Sequence, residues 1–171
     1  MRISFASILK HTVFTIISLL LVVSQTSFFA GIEIFGGRPQ AVLLYCLALA
    51  FFEGPKTGAV YGVLCGYLLD VVSGGGVYFS AVIYMLVCYI FAYAVELYFN
   101  DGYLSYLAMS AVFVLIKQTL DVFVMLAKWA DFNFGVTIVK VFLPELIYTL
   151  AVSALVYFPV VFLCTRFSRE N

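Results

Sequence analysis

Apolar runs of membrane-crossing length dominate this chain and leave few folds open to it. A helix that crosses a bilayer needs about 20 predominantly apolar residues. Candidate runs lie at 12–30, 40–53, 57–76, 77–99, 104–127 and 137–164. They are too abundant to be the core of a soluble domain. Of 171 residues, 65% are hydrophobic and 11% charged, against roughly 45–50% and about 25% in soluble domains. The excess must face lipid. The expected fold is an all-α membrane protein, one integral membrane domain over residues 1–171 built as a bundle of about six transmembrane helices.

The breaks between runs set the topology. The second run opens at Pro39, suited to a first helical position, and closes at the Gly54-Pro55 break. At about 1.5 Å per residue it reaches only about 21 Å, so it should dip into the membrane or pair tightly with the third. Tight turns are expected at "SGGG" (73–76) and "NDG" (100–102). The basic, then apolar, N-terminus resembles a secretory signal. Bulky Phe28 and Phe29 stand where a small-residue cleavage site would be, so the segment reads as a retained first span. With the N-terminus inside, Arg2, Lys10, Lys56, Arg166 and Arg169 fall on the cytoplasmic side. Arg38, Lys128 and Lys140 fall outside, a bias that places both termini in the cytoplasm.

Several function classes lack residues to support them. A net charge of zero offers no basic patch to nucleic acid. Cys46, Cys65, Cys88 and Cys164 all sit in apolar runs without CxxC or Cys/His spacing, so they read as buried free thiols. His11 alone cannot build a zinc site, and beside Lys10 it reads as an interface residue. No nucleophile–base constellation or phosphate-binding glycine loop is present, so no catalytic residue, metal or cofactor is expected. Tyr78, Tyr98, Tyr103 and Tyr106 near span ends suit interfacial aromatic belts.

"GPKTGAVYGVLCGYLLD" carries the most specific pattern: Gly54, Gly58, Gly62 and Gly66 at four-residue intervals, with the interval ending on Asp70. At helical spacing Gly58, Ala59, Gly62, Cys65, Gly66 and Asp70 share one half of the third span. In lipid no hydrophobic force draws helices together, and small residues let backbones approach instead. The glycine face is therefore a docking groove, for a helix of this bundle, a partner's helix, or both. Asp70 needs a cation, a donor or water. Counting depth along the spans gathers Asp70, Lys117, Asp121 and Glu145 in the outer half of the membrane, with Lys140 near a helix end. Intramembrane charges usually face a bundle interior, so a polar cluster is expected there, Lys117 pairing with Asp70 or Asp121. Alternatively Lys117 and Asp121 neutralise each other at i, i+4 while Lys128 and Lys140 snorkel. Pro144 should bend the last span by withdrawing a hydrogen bond from the Lys140 carbonyl.

These residues resemble the central signature of the MreD family of bacterial rod shape-determining membrane proteins. Pro39, Gly54, Pro55, Gly58, Gly62, Gly66, Leu69 and Asp70 match it in order, and "LPELIYT" matches a late element through Pro144, Leu146 and Tyr148. A departure is "GGGVYFSAVIY", where family members commonly show a further Leu-Gly after the loop. The resemblance implies a non-enzymatic scaffold of the elongation machinery in the inner membrane. Its implied partners are a MreC homologue, the MreB filament, RodA and a class B penicillin-binding protein, alongside membrane lipids. It also implies an architecture similar to the substrate-binding components of energy-coupling-factor vitamin transporters. A small-molecule binder is thus the competing reading, although "TVFTIISLLLVVSQ" lacks the Ala-x-x-x-Ala pattern of those components. A structural assembly subunit without the MreD role is a third.

Overall fold

The computed structural model describes residues 5–27, 40–73, 79–98, 102–128 and 143–168, and all regular structure there is helical. Among the described residues six helices follow one another: α1 Phe5–Ser27, α2 Ala41–Glu53, α3 Pro55–Ser73, α4 Phe79–Tyr98, α5 Tyr103–Lys128 and α6 Leu143–Ser168. Four of them, α1, α4, α5 and α6, are long and apolar enough to cross a membrane. The expected six spans thus divide into four of full span character and two of another kind. α3 has 19 residues but carries Lys56, Asp70 and three glycines, which lower its hydropathy. α2 has only 13 residues, about 20 Å of helix.

α2 is the centre of the bundle. Every residue from Ala41 to Ala50 is buried, as expected of a helix that is apolar all round. α3, α4 and α6 pack against it most extensively, with α1 and α5 completing the enclosure. Hydroxyls reach across to tie it in. Tyr45 donates to the Phe14 carbonyl of α1 at 2.9 Å, and Tyr106 of α5 donates to the Leu44 carbonyl at 2.9 Å. Each such bond is worth about 1 kcal/mol. Its direction defines two ends of the molecule. The start of α1, the end of α2 and the start of α3 lie at what we term the proximal end; the start of α2 and the end of α3 lie at the distal end.

Two expectations about aromatics and prolines change. Tyr103 and Tyr106 do not form an interfacial belt. They pack inward with Phe51, Phe91 and Tyr157 in a knot of rings whose centroids lie 4.9–6.5 Å apart. Tyr106 is fully buried because α5 begins against the end of α2, so a residue near a helix end still faces the core. Tyr78 lies outside the described residues, as does the side chain of Tyr98. Pro144 falls in the first turn of α6 as described, where its missing N–H withdraws no bond within that helix. The proline inside α6 is Pro159, which removes the N–H that would bond the Leu155 carbonyl. Pro39 and Lys140 lie outside the described residues.

Candidate functional site

The four glycines that share one interval in the sequence do not share one task. Gly54 is not on the helix face. It joins α2 to α3 at φ +85°, a left-handed conformation that glycine adopts without a Cβ clash, and Pro55 follows at the first helical position. Gly58 faces α2, where an added Cβ would stand 2.7 Å from Ala50 Cα. Gly62 and Gly66 face α4: a Cβ would lie 2.8 Å from the Tyr84 carbonyl oxygen or 2.6 Å from Ala81 Cα, respectively. Carbon atoms otherwise settle at roughly 3.5–4.0 Å, so only glycine admits the observed approach. Helices of this same chain cover the groove.

Asp70 lies one turn beyond Gly66 on the same face. Its Oδ2 accepts the backbone N–H of Ser80 at 3.0 Å and of Ala81 at 3.4 Å. These residues open α4, and the first N–H groups of a helix have no intrahelical acceptor. Asp70 is therefore an N-cap supplied by a neighbouring helix, with its charge at the positive end of the α4 dipole. Gly66 makes the cap reachable by letting α4 lie backbone to backbone on α3. The expected ammonium partner is replaced by amides. Lys117 sets its Nζ 5.7 Å from the centroid of the Tyr84 ring on α4, a cation–π geometry.

Glu145 follows similar logic elsewhere at the distal end. It sits in the first turn of α6, where a carboxylate suits the helix dipole, and it accepts a hydrogen bond from Gln40 Nε2. Gln40 precedes α2, and its backbone N–H donates to Thr149 Oγ1 at 3.3 Å. Two residues later the Val42 N–H donates to Gln25 Oε1 of α1 at 2.8 Å. The start of α2 is thus capped from α1 and α6. Asp70 and Glu145 each attend a different helix start, and the side chain of Asp121 lies outside the described residues.

The sequence reading missed a polar group at the proximal end. Lys10 of α1 and Glu53 of α2 form an ion pair at 2.5 Å, with side chains only 17% and 16% exposed. Next to it, His11 Nδ1 lies 3.1 Å from the Tyr61 hydroxyl, which also donates to the His11 carbonyl at 3.1 Å. Lys10 entered the sequence argument only as a topology charge, and Glu53 not at all. Their separation of 43 residues offers no local pattern, though a carboxylate closing an apolar helix was a usable signal. Cys46, Cys65, Cys88 and Cys164 are buried free thiols. Among the described residues no group of three or more His, Cys, Asp or Glu side chains is placed to hold a metal.

These groups fasten helices to one another. The family model for rod shape-determining protein MreD matches residues 5–167. The chain belongs to the MreD family. Membership gives it a role in determining rod shape, and with its four span-length apolar helices makes it a membrane protein. No curated protein and no solved structure matches the chain, so the likeness to energy-coupling-factor components gains no support there.

Proposed function

We propose that this protein is a non-enzymatic scaffold of the cell-elongation machinery in the bacterial inner membrane, with both termini cytoplasmic. In this reading the proximal end faces the cytoplasm. The protein binds the single transmembrane helix of a MreC homologue and works with MreB, RodA and a class B penicillin-binding protein. Because the chain's own helices occupy the glycine face, the partner helix belongs on an exterior surface.

The observation that supports a helix partner is a pair of tyrosines on the outside of α4. Tyr89 and Tyr93 are 49% and 55% exposed and stand one turn apart. Tyr89 is the eleventh of 20 residues, about 15 Å from the start of the helix and thus near mid-membrane. Tyrosine favours the interfaces, where its hydroxyl meets water. In hydrocarbon that hydroxyl needs an acceptor, and neither residue has one among the described residues. A neighbouring helix with a polar side chain would supply it. Co-purification of the MreC homologue tests this. An interhelical hydrogen bond in lipid is worth about 0.6 kcal/mol, so Tyr89→Phe with Tyr93→Phe should lower recovery several-fold. Unchanged recovery refutes the docking face. Depletion should round up rod-shaped cells, and rods that persist without the protein or a paralogue refute the scaffold role. Gly62→Leu does not test partner binding, because it strikes the Tyr84 carbonyl of α4 first.

A further inference from the structure

A groove of about 380 Å³ opens between α1 and α3 at the proximal end. Its chemistry changes along its length. Lys56 and Thr57, in the first turn of α3, line one end, and Val60 and Leu64 continue the same wall. From Lys56 to Leu64 is eight residues, about 12 Å along the helix axis. His11 and Thr15 of α1 form the facing wall. Val60 is 64% exposed, so the apolar part opens sideways toward lipid rather than into the bundle.

Charge decides what suits the polar end. Lys10 and Glu53 lie close by, and each neutralises the other. Lys56 is exposed and makes no ion pair among the described residues, so its charge remains for a ligand. The Thr57 hydroxyl makes no hydrogen bond among the described residues, whereas Thr15 donates to the His11 carbonyl and offers only lone pairs. The Tyr61 hydroxyl occupies Nδ1 of His11, which leaves Nε2. Lys56 and Thr57 are donors suited to a phosphate. The acid that could hold a zwitterionic headgroup's ammonium is Glu53, and it is already paired.

We propose that this groove is a binding site for an anionic phospholipid of the phosphatidylglycerol class, its phosphate on Lys56 and Thr57 and an acyl chain along Val60 and Leu64. The occupant is a lipid rather than free phosphate because the groove continues as an apolar wall open to the bilayer.

The test is native mass spectrometry of the full-length protein released from mixed micelles of phosphatidylglycerol and phosphatidylcholine. The wild type should retain phosphatidylglycerol preferentially. Lys56→Gln should cut that preference about fivefold, the factor one interfacial lysine contributes on anionic membranes, and Lys56→Arg should keep it. Leu64→Trp, which fills the apolar wall, should lower retention of both lipids. Lys56 is exposed, so an unchanged thermal midpoint for Lys56→Gln separates lost binding from lost fold. Equal retention of the two lipids by the wild type, or an unaltered preference in Lys56→Gln, overturns the proposal. Displacement of the lipid by millimolar inorganic phosphate would also overturn it, by showing that the headgroup alone is recognised.

Discussion

Replacing Gly66 by alanine separates a merely close helix contact from one that positions a cap. The new Cβ would stand 2.6 Å from Ala81 Cα, 2.7 Å from the Ser80 carbonyl oxygen and 2.8 Å from Ala81 N. All three are backbone atoms, so no rotamer change relieves the overlap. Since carbon pairs settle at roughly 3.5–4.0 Å, α4 must retreat by about 1 Å. The Asp70 bond to Ala81 N is already 3.4 Å long and breaks, while the Ser80 bond lengthens from 3.0 Å. Overpacking costs about 1–3 kcal/mol and the weakened charge-assisted bonds about 1.5–3 kcal/mol. Alanine's helix propensity returns about 0.8–1 kcal/mol. The net loss should be about 1.5–5 kcal/mol by these terms. Reversible unfolding in mixed micelles measures it for Gly66→Ala, Asp70→Asn and the double variant. Because both changes act on the same two amides, the loss in the double variant should fall short of the sum of the singles by more than about 0.5 kcal/mol. An alanine variant within about 0.5 kcal/mol of wild type, or strict additivity, would refute the reasoning.

Three further outcomes follow from the same geometry. Asp70→Asn keeps an acceptor for α4 and should cost about 1 kcal/mol, whereas Asp70→Leu leaves two amides unpaired and should cost at least about 2 kcal/mol in the same unfolding assay. Lys10→Met strands a largely buried Glu53 carboxylate and should destabilise by about 2 kcal/mol; Lys10→Met with Glu53→Leu should recover most of that, and a double variant as poor as the single would count against the pair. Tyr45→Phe and Tyr106→Phe each cut one bond that ties α2 to a neighbour, and each should lower stability by about 1 kcal/mol, additively, as they act on opposite neighbours.

The apolar runs made the helices legible, since a segment that must satisfy its own backbone in lipid has little other choice. The approach of α4 to α3 was legible in Gly62 and Gly66, because absent side chains mark where another backbone can lie. Gly54 was misread: periodicity alone cannot tell a fourth ridge position from a turn, and the adjacent Pro55 was the better guide. The central place of α2 could be read only in part. Its length signalled that it should dip or pair tightly with α3, but enclosure depends on five other helices, to which no local pattern points. The Lys10–Glu53 pair and the aromatic knot join residues far apart in the chain, so they belong to the packing and not to any motif.

Asp70 was assigned the wrong kind of partner for a reason that reaches beyond this chain. Sorting intramembrane charges by depth assumes that a carboxylate seeks a cation, which means desolvating two ions to satisfy one. Each helix that begins in or near lipid brings its own unsatisfied donors, and no water is there to take them. A carboxylate placed on those donors meets its need and theirs together, with one ion desolvated. Asp70 does this for α4 directly. Gln25 and Thr149 do it for α2 without any charge, leaving Glu145 to hold the Gln40 side chain. Three connections are short, with α2 and α3 separated by Gly54 alone, so the starts of α3, α4 and α5 lie within reach of the helix before them. Under that constraint the informative neighbour of an intramembrane polar residue is the nearest helix N-terminus, and a lysine is sought only where no such N-terminus lies within reach.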